Sequence, residues 1–490
     1  MPEVSTSSLK DRAIKSFIWN FLEKAGSQSI ALIIQIVLAR LLTPSDFGTM
    51  AIMVVFVNIG TVFVQSGLNT ALIQKRDLTD LDVDTAFWLS FTIAALLYSI
   101  LFFNAPFIAS FYSMKYLVWP LRILCLIFLF NSYFAVQSAL VTRDLDFKRL
   151  FKANLIAMIF SGIAGISAAF LNLGIWALVA QQVIYSAVSA LVIGLETKWL
   201  PKMKFSLSEA KTLYSFGWKL LASGLLETTY QSLSDLIVGK KYAASALGYF
   251  NQGKKYPMTL GTVLDNTIQP IMLSTVSKVQ TDIVKVKQIV RRSLKLSTYI
   301  ILPLMAFCAV AAESIICLVL GEQWIGSAPF FRAFCIVYAL LPIHSTNLQA
   351  LNGIGHTEIY LKLEVIKKII GISILLLITF ETNNCVYICY GYIVDGLIST
   401  FINAHPNKRL INYSYMEQLH DLLPTVLITL ISSALSFSAT FMVNSSSVIC
   451  AVLEFFIFFA AYILLSDLSK NESYAYLRKE ASVRLFGVKQ

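Results

Sequence analysis

Residues 30–57 read IALIIQIVLARLLTPSDFGTMAIMVVFV. Two apolar runs meet at a polar turn, TPSD, and after Asp46 the second run holds no charged side chain. A bilayer core about 30 Å thick takes roughly 20 apolar residues of helix to cross, so this pattern predicts two membrane helices joined by a tight connection. Outward from this pair, apolar runs and polar breaks alternate along nearly the whole chain. They predict spans near 17–41, 47–68, 85–105, 116–141, 153–171 and 174–195, and a second set near 213–238, 247–275, 294–319, 329–351, 358–380, 385–405, 423–443 and 446–466. The pattern is that of an all-α polytopic membrane protein of about fourteen helices.

Composition points the same way. The 490 residues are 57% hydrophobic and only 14% charged, with a mean hydropathy of +0.70, whereas a soluble domain carries about 25% charged residues. The longest connections, 196–212 and 406–422, are under twenty residues and leave no room for a catalytic domain. The first sixteen residues are polar and lack a short apolar core with a cleavage site, so no removable signal peptide is expected. Seven cysteines lie in or beside apolar runs and read as small buried hydrophobes. Cys385 and Cys389, spaced i, i+4 without a nearby His, read as packing and not as a metal site.

The net charge of +11 is explained by topology and does not call for nucleic acid. Cytoplasmic loops of membrane proteins retain Lys and Arg. With the N-terminus inside, the inner segments collect Lys10, Arg12 and Lys15, Lys75 and Arg76, Arg143 to Lys152, Lys198 to Lys211, Lys278 to Arg292, Lys408 and Arg409, and the basic tail. The outer segments keep only Lys115, Lys240 and Lys241. Both termini are therefore expected in the cytoplasm. An internal repeat supports the count: Ser16, Phe17 and Trp19 recur as Ser215, Phe216 and Trp218, and Gly48 recurs as Gly248. Parallel repeats of this kind mark transporters, with the substrate path between the halves. The expected organisation is an N-terminal lobe at 14–195, a C-terminal lobe at 213–405, two further helices within 423–466 and a tail at 467–490.

Polar groups inside spans are costly and usually face water or one another. In the seventh span Lys219, Ser223, Glu227, Tyr230, Gln231 and Ser234 share one face; in the eighth, Asn251, Lys255, Thr259, Thr262, Asn266 and Gln269 do so, with Lys254 and Asp265 beside them. The first, second, fourth and tenth spans also carry polar residues, so these six are expected to line a central cavity, with the other spans, the near-apolar third, fifth and thirteenth among them, as a lipid-facing jacket. The cavity would hold Lys24, Arg122, Lys219, Lys254, Lys255 and Arg332 against Glu23, Glu227, Asp235 and Asp265. That cationic excess suits an anionic substrate such as a pyrophosphate headgroup. Structural pairing is the competing role for individual charges: Glu364 with Lys368 at i, i+4 is one candidate, and Glu313, Asp395 and Glu454 have no evident partner in the sequence.

Four stretches carry a family resemblance: LARLLTPSDFG (38–48), GLNTALIQKRDLT (67–79), VGKKYAASALGYFNQGKKYP (238–257) and LGEQWIGSAPFFRAF (320–334). Together they resemble the polysaccharide-transporter branch of the multidrug/oligosaccharidyl-lipid/polysaccharide exporter superfamily, in particular its Wzx-type translocases. The resemblance runs from about residue 14 to 360 and fades beyond. It implies two six-helix lobes around a central cavity, two extra C-terminal helices, and transfer of undecaprenyl-pyrophosphate-linked sugar repeats across the bacterial inner membrane by alternating access. It also implies cavity charges in the first and seventh spans, which fall here on Glu23, Lys24, Lys219 and Glu227. Coupling to a proton or sodium gradient, and polymerase and chain-length partners, follow as expectations; no cofactor does. A multidrug exporter of the same superfamily and a polysaccharide-biosynthesis membrane enzyme are the alternatives. An organic-cation exporter would want an acidic or aromatic cavity, and an enzyme would want a longer outer loop than any present.

Overall fold

The computed structural model describes residues 26–28, 30–65, 67–440 and 447–486, and no strand occurs among them. Among the described residues, ten helices are long and apolar enough to cross a membrane. Three more, Leu207–Lys241, Ala244–Lys278 and Thr357–Glu381, have the length but are too polar to count among them. The first expected span is represented by the apolar helix α1, Gly26–Leu41. Each expected span therefore coincides with helix in the described residues. Expected positions 23 and 24 lie outside those residues.

The chain divides into two compact units, Met1–Gly248 and Tyr249–Gln490. In the first, α1 is followed by α2 (Pro44–Gln65), α3 (Leu68–Gln74), α4 (Asp80–Phe111), α5 (Val118–Leu124), α6 (Ile127–Arg143), α7 (Phe147–Phe170), α8 (Ile175–Thr197) and α9 (Leu207–Lys241). The turn that opened the sequence explains the start of α2. Thr43 Oγ1 and its backbone N–H donate to the Asp46 carboxylate at 2.6 and 3.1 Å, the Asp46 N–H returns a bond to Thr43 Oγ1, and Pro44 follows the cap. This is a capping box with proline in the first turn, both of which favour helix initiation. Thr79 and Asp82 build a second one at α4. Small residues let α7 and α8 run close together: a Cβ on Gly165 would lie 2.9 Å from Gln181 Cβ. At the α3–α4 end, Leu68, Leu72, Val83, Phe87, Val136 and Leu213 form a buried cluster.

The second unit holds most of α10 (Ala244–Lys278), then α11 (Ile283–Val310), α12 (Ala312–Val319), α13 (Ala328–Ala339), α14 (Leu341–Gly353), α15 (Thr357–Glu381), α16 (Val386–Ile411), α17 (Tyr415–Thr440), α18 (Ser447–Leu468) and α19 (Glu472–Phe486). Its cores join Met272, Val286, Val290, Leu294 and Tyr413, and separately Tyr299, Ile428, Phe458 and Tyr462. The thirteenth expected span, α17, is less plain than an apolar jacket helix. Thr425, Thr429, Ser432 and Ser436 are buried along one face, where small polar side chains allow close helix approach. Outside the cores, large apolar side chains such as Phe103, Phe107, Phe160, Phe380 and Phe456 are exposed. Such a surface needs lipid around it, and the protein is a multi-pass membrane protein.

Candidate functional site

In the first unit the polar stripe of α9 points away from the helices that α9 packs on, except at Ser234, which is buried. Ala210, Leu213, Gly217, Ser232, Val238 and Gly239 are buried, toward α2, α3 and α4. Lys219, Ser223, Glu227 and Gln231, on the other side, are exposed. Gln231 Nε2 donates to Glu227 Oε1 at 2.8 Å. Lys219 makes no ion pair with any described residue. Close approach explains the buried face: Gly67 has φ +68°, and a Cβ on it would lie 2.6 Å from the Gly217 carbonyl oxygen.

Arg122, expected among the cavity cations, is held by α4 and by its own helix. Its Nε donates to the Phe102 carbonyl at 3.0 Å, and its guanidinium lies 4.3 Å from the Phe102 ring and 4.9 Å from the Trp119 ring. Hydrogen bond and cation–π contacts together make it a fastener between α4 and α5.

In the second unit, α10 carries its polar residues into a half-buried setting. Lys254 Nζ lies 5.9 Å from both the Phe250 and Tyr392 rings, and Lys255 is partly buried beside it. About three turns on, Asp265 is 5% exposed. Gln269 Nε2 donates to its Oδ2 at 2.5 Å, and Gln349 Nε2 donates to Gln269 Oε1 at 3.1 Å. A chain of polar groups thus runs from α10 to α14. On the far side of α14, Asn347 is bonded to both Gln418 and Asn407, all three essentially buried. His344 meets Asn403 at 3.1 Å.

Several charges find partners that spacing did not reveal. Glu313 is paired with Arg332 at 2.8 Å across α12 and α13, and Ser314 hydrogen-bonds Glu454 close to the same pair. Glu364 pairs with Lys367 at 2.5 Å, in place of the Lys368 expected at i, i+4. Asp395 on α16 feels the same Lys367. The i, i+3 choice brings the charge toward α16, which sequence spacing alone does not encode.

The stretches that carry the resemblance are mainly structural. Lys75 Nζ contacts Asp82 and Glu209 at 2.7 Å each, so residues 67–79 clasp α4 and α9. Both carboxylates favour the charged amine, lifting the Lys75 pKa above the ordinary lysine value. Arg143 donates to the carbonyls of Leu72, Ile73, Lys75 and Arg76 at the end of α3. In the second unit the two remaining stretches meet each other: a Cβ on Gly253 would lie 2.6 Å from Phe330 Cβ, and the Tyr249 and Trp324 rings are 6.1 Å apart, edge to face.

Long helices with one charged face, set among apolar ones, define a polytopic membrane transporter fold. The chain belongs to the polysaccharide biosynthesis protein family, whose profile matches residues 37–329. It is 24% identical over 392 residues to the teichuronic acid biosynthesis protein TuaB of Bacillus subtilis, covering 78% of this chain and 80% of that one. It is 20% identical to the lipopolysaccharide biosynthesis protein WzxC of Escherichia coli, covering 86% and 88%. Its fold is like that of the lipid II flippase MurJ in an inward closed conformation, with a TM-score of 0.73, 14% identity, and coverage of 93% and 99%. The family expectation drawn from the four stretches is met.

Proposed function

We propose that this chain is a flippase that moves undecaprenyl-pyrophosphate-linked oligosaccharide repeats from the cytoplasmic to the outer leaflet of a bacterial inner membrane, by alternating access, for surface polysaccharide synthesis. The observation that carries this reading is the α9 stripe. A 35-residue helix in a membrane protein presents Lys219, Ser223, Glu227 and Gln231 on a face left exposed by the described residues. Lipid cannot solvate that face, so water or a polar substrate must.

The cations give the substrate class. A pyrophosphate that leaves water must find fixed positive groups, because an unpaired charge at the bilayer centre costs several kcal/mol. Lys219 stands in the cytoplasmic half of α9, and Lys254 and Lys255 stand toward the outer end of α10, so the headgroup meets Lys219 on loading and Lys255 before release. An organic cation would be repelled by the same groups. Glu227 and Asp265 are the carboxylates through which a proton or sodium gradient would act. Glu23 and Lys24 join the substrate path by family resemblance. Both termini are cytoplasmic, and polymerase and chain-length proteins take the product on the outer face.

Complementation of a flippase-deficient strain tests this. Lys219→Ala should leave lipid-linked repeat in the cytoplasmic leaflet, and Lys255→Ala should impair outward passage, with both proteins present at normal membrane levels. Normal surface polysaccharide from both variants would show that the lysines are structural. Topology is read separately: cysteines introduced near Lys115 and Lys240 should react with an impermeant maleimide from outside, and ones near Lys202 and Lys285 only after permeabilisation.

A further inference from the structure

The second unit has a pocket of about 290 Å³ where α11 meets the start of α19. Three cations line it from one face of α11, Arg291, Arg292 and Lys295, at i, i+1 and i+4. Two are already committed. Arg291 grips Asp421 with two bonds of 2.7 and 2.5 Å, and Lys295 meets Glu472 at 2.6 Å and Asp421 at 3.7 Å. Arg292 meets no carboxylate among the described residues; its guanidinium carbon lies over the Tyr476 ring, 4.0 Å from the ring centre. A stacked guanidinium keeps its in-plane N–H donors free, in the fork that matches a phosphate.

Position supplies the second argument. The three cations stand in the last charged turns of α11 before the uncharged run 296–312 enters the membrane. Leu468 ends α18 and Glu472 begins α19 within a few residues, so the far wall of the pocket stands at a membrane surface too. Tyr476 has the ring-and-hydroxyl character found at such interfaces. By the distribution of Lys and Arg this surface is the cytoplasmic one.

We infer that this pocket binds the phosphate of an anionic lipid headgroup from the cytoplasmic leaflet. Arg292 is the principal donor, Lys295 assists from the same face of α11, and Tyr476 holds the guanidinium in place from α19. Basic pockets between membrane helices take anionic headgroups by this chemistry. The occupant ties the tail helix α19 to α11, beside the Lys295–Glu472 bridge. This inference needs the membrane but not the transport reading, so each can fail without the other.

The test uses the purified full chain in neutral detergent, with the thermal unfolding midpoint as readout and native mass spectrometry for retained lipid. Short-chain phosphatidylglycerol should raise the midpoint and remain bound. Phosphatidylcholine should not, and neither should inorganic phosphate at the same concentration. Arg292→Glu, at an exposed position, should weaken the phosphatidylglycerol response about tenfold or more, while Arg292→Lys should keep part of it. An equal response to inorganic phosphate would overturn the lipid assignment. An undiminished phosphatidylglycerol response in Arg292→Glu would overturn the site.

Discussion

Gly48 and Gly248 each sit against the backbone at the start of the other's helix. A Cβ on Gly48 would lie 1.7 Å from the Ala244 carbonyl oxygen, and one on Gly248 would lie 1.9 Å from the Pro44 carbonyl oxygen. Pro44 and Ala244 are themselves separated by the repeat offset, so the contact is reciprocal between equivalent positions of α2 and α10. Real Cβ atoms do not approach a backbone oxygen that closely, and a carbonyl cannot rotate aside as a side chain can.

Gly48→Ala and Gly248→Ala should each force the two helix starts apart. In the proposed orientation this contact faces the outside. A cysteine at Ala243 should then react faster with an impermeant maleimide in either variant than in the parent, and surface polysaccharide should fall. The double variant should add little to either single change, because both break one contact. Parent-like labelling in both single variants would mean that the contact is not maintained in the membrane.

The Lys75 clasp should matter to stability more than an ordinary surface pair. Its partner Asp82 has a side chain only 1% exposed, although Thr79 also bonds it. Lys75→Met should cost about 1–3 kcal/mol, read as a lower unfolding midpoint in detergent. The Lys75 amine is held above the ordinary lysine value in the folded chain. Its contribution is therefore complete below about pH 10.4 and is lost as pH rises through the folded value. The gap between parent and Lys75→Met should stay level from about pH 6 to 9 and narrow in stronger alkali.

What was legible in the sequence was the part that needs only neighbouring residues. The apolar run either side of TPSD, the stripe from Lys219 to Gln231 and the repeat of Gly48 at Gly248 are all visible in local spacing, and the helices coincide with them. What spacing could not carry was pairing between distant helices. Lys75 was read as one of many topology-setting cations, yet its second partner is Glu209, 134 residues away. Arg122 was read as a cavity cation because it is charged within a span; which ring it stacks on depends on how α4 and α5 meet. Glu364 had two lysines within a turn, and the choice of Lys367 depends on α16. A cue was available for Asn347, Asn407 and Gln418, three amides in or beside spans, but nothing local showed that they converge.

These three amides should behave as one unit. Asn347 accepts from Asn407 at 2.6 Å and from Gln418 at 2.9 Å, and all three are 0–1% exposed. Asn347→Ala leaves two buried amide groups short of partners at about 1–3 kcal/mol each. The unfolding midpoint should drop more for Asn347→Ala than for Gln418→Ala, and the Asn347→Ala/Gln418→Ala pair should be markedly less than additive. Additive losses would show that the bonds are not coupled.

The last prediction separates the two candidate coupling carboxylates. Glu227 is exposed on α9, where water can stabilise its charge, and its side chain is bonded to Gln231. Asp265 is buried, its Oδ2 is bonded to Gln269, and its Oδ1 has no hydrogen-bond partner. No cation among the described residues pairs with it, and a mobile ion could neutralise it in place. Binding of a proton or sodium ion would change the bonds that run through Gln269 and Gln349 to α14, which gives a local event a route to a second helix. Asp265→Asn keeps the shape and fixes the side chain as neutral. It should leave substrate loading intact while making transport in vesicles insensitive to an imposed proton or sodium gradient. Glu227→Gln should change the transport rate and retain that sensitivity. A gradient response equal to the parent's in Asp265→Asn, or none in the parent itself, would remove Asp265 from the coupling role.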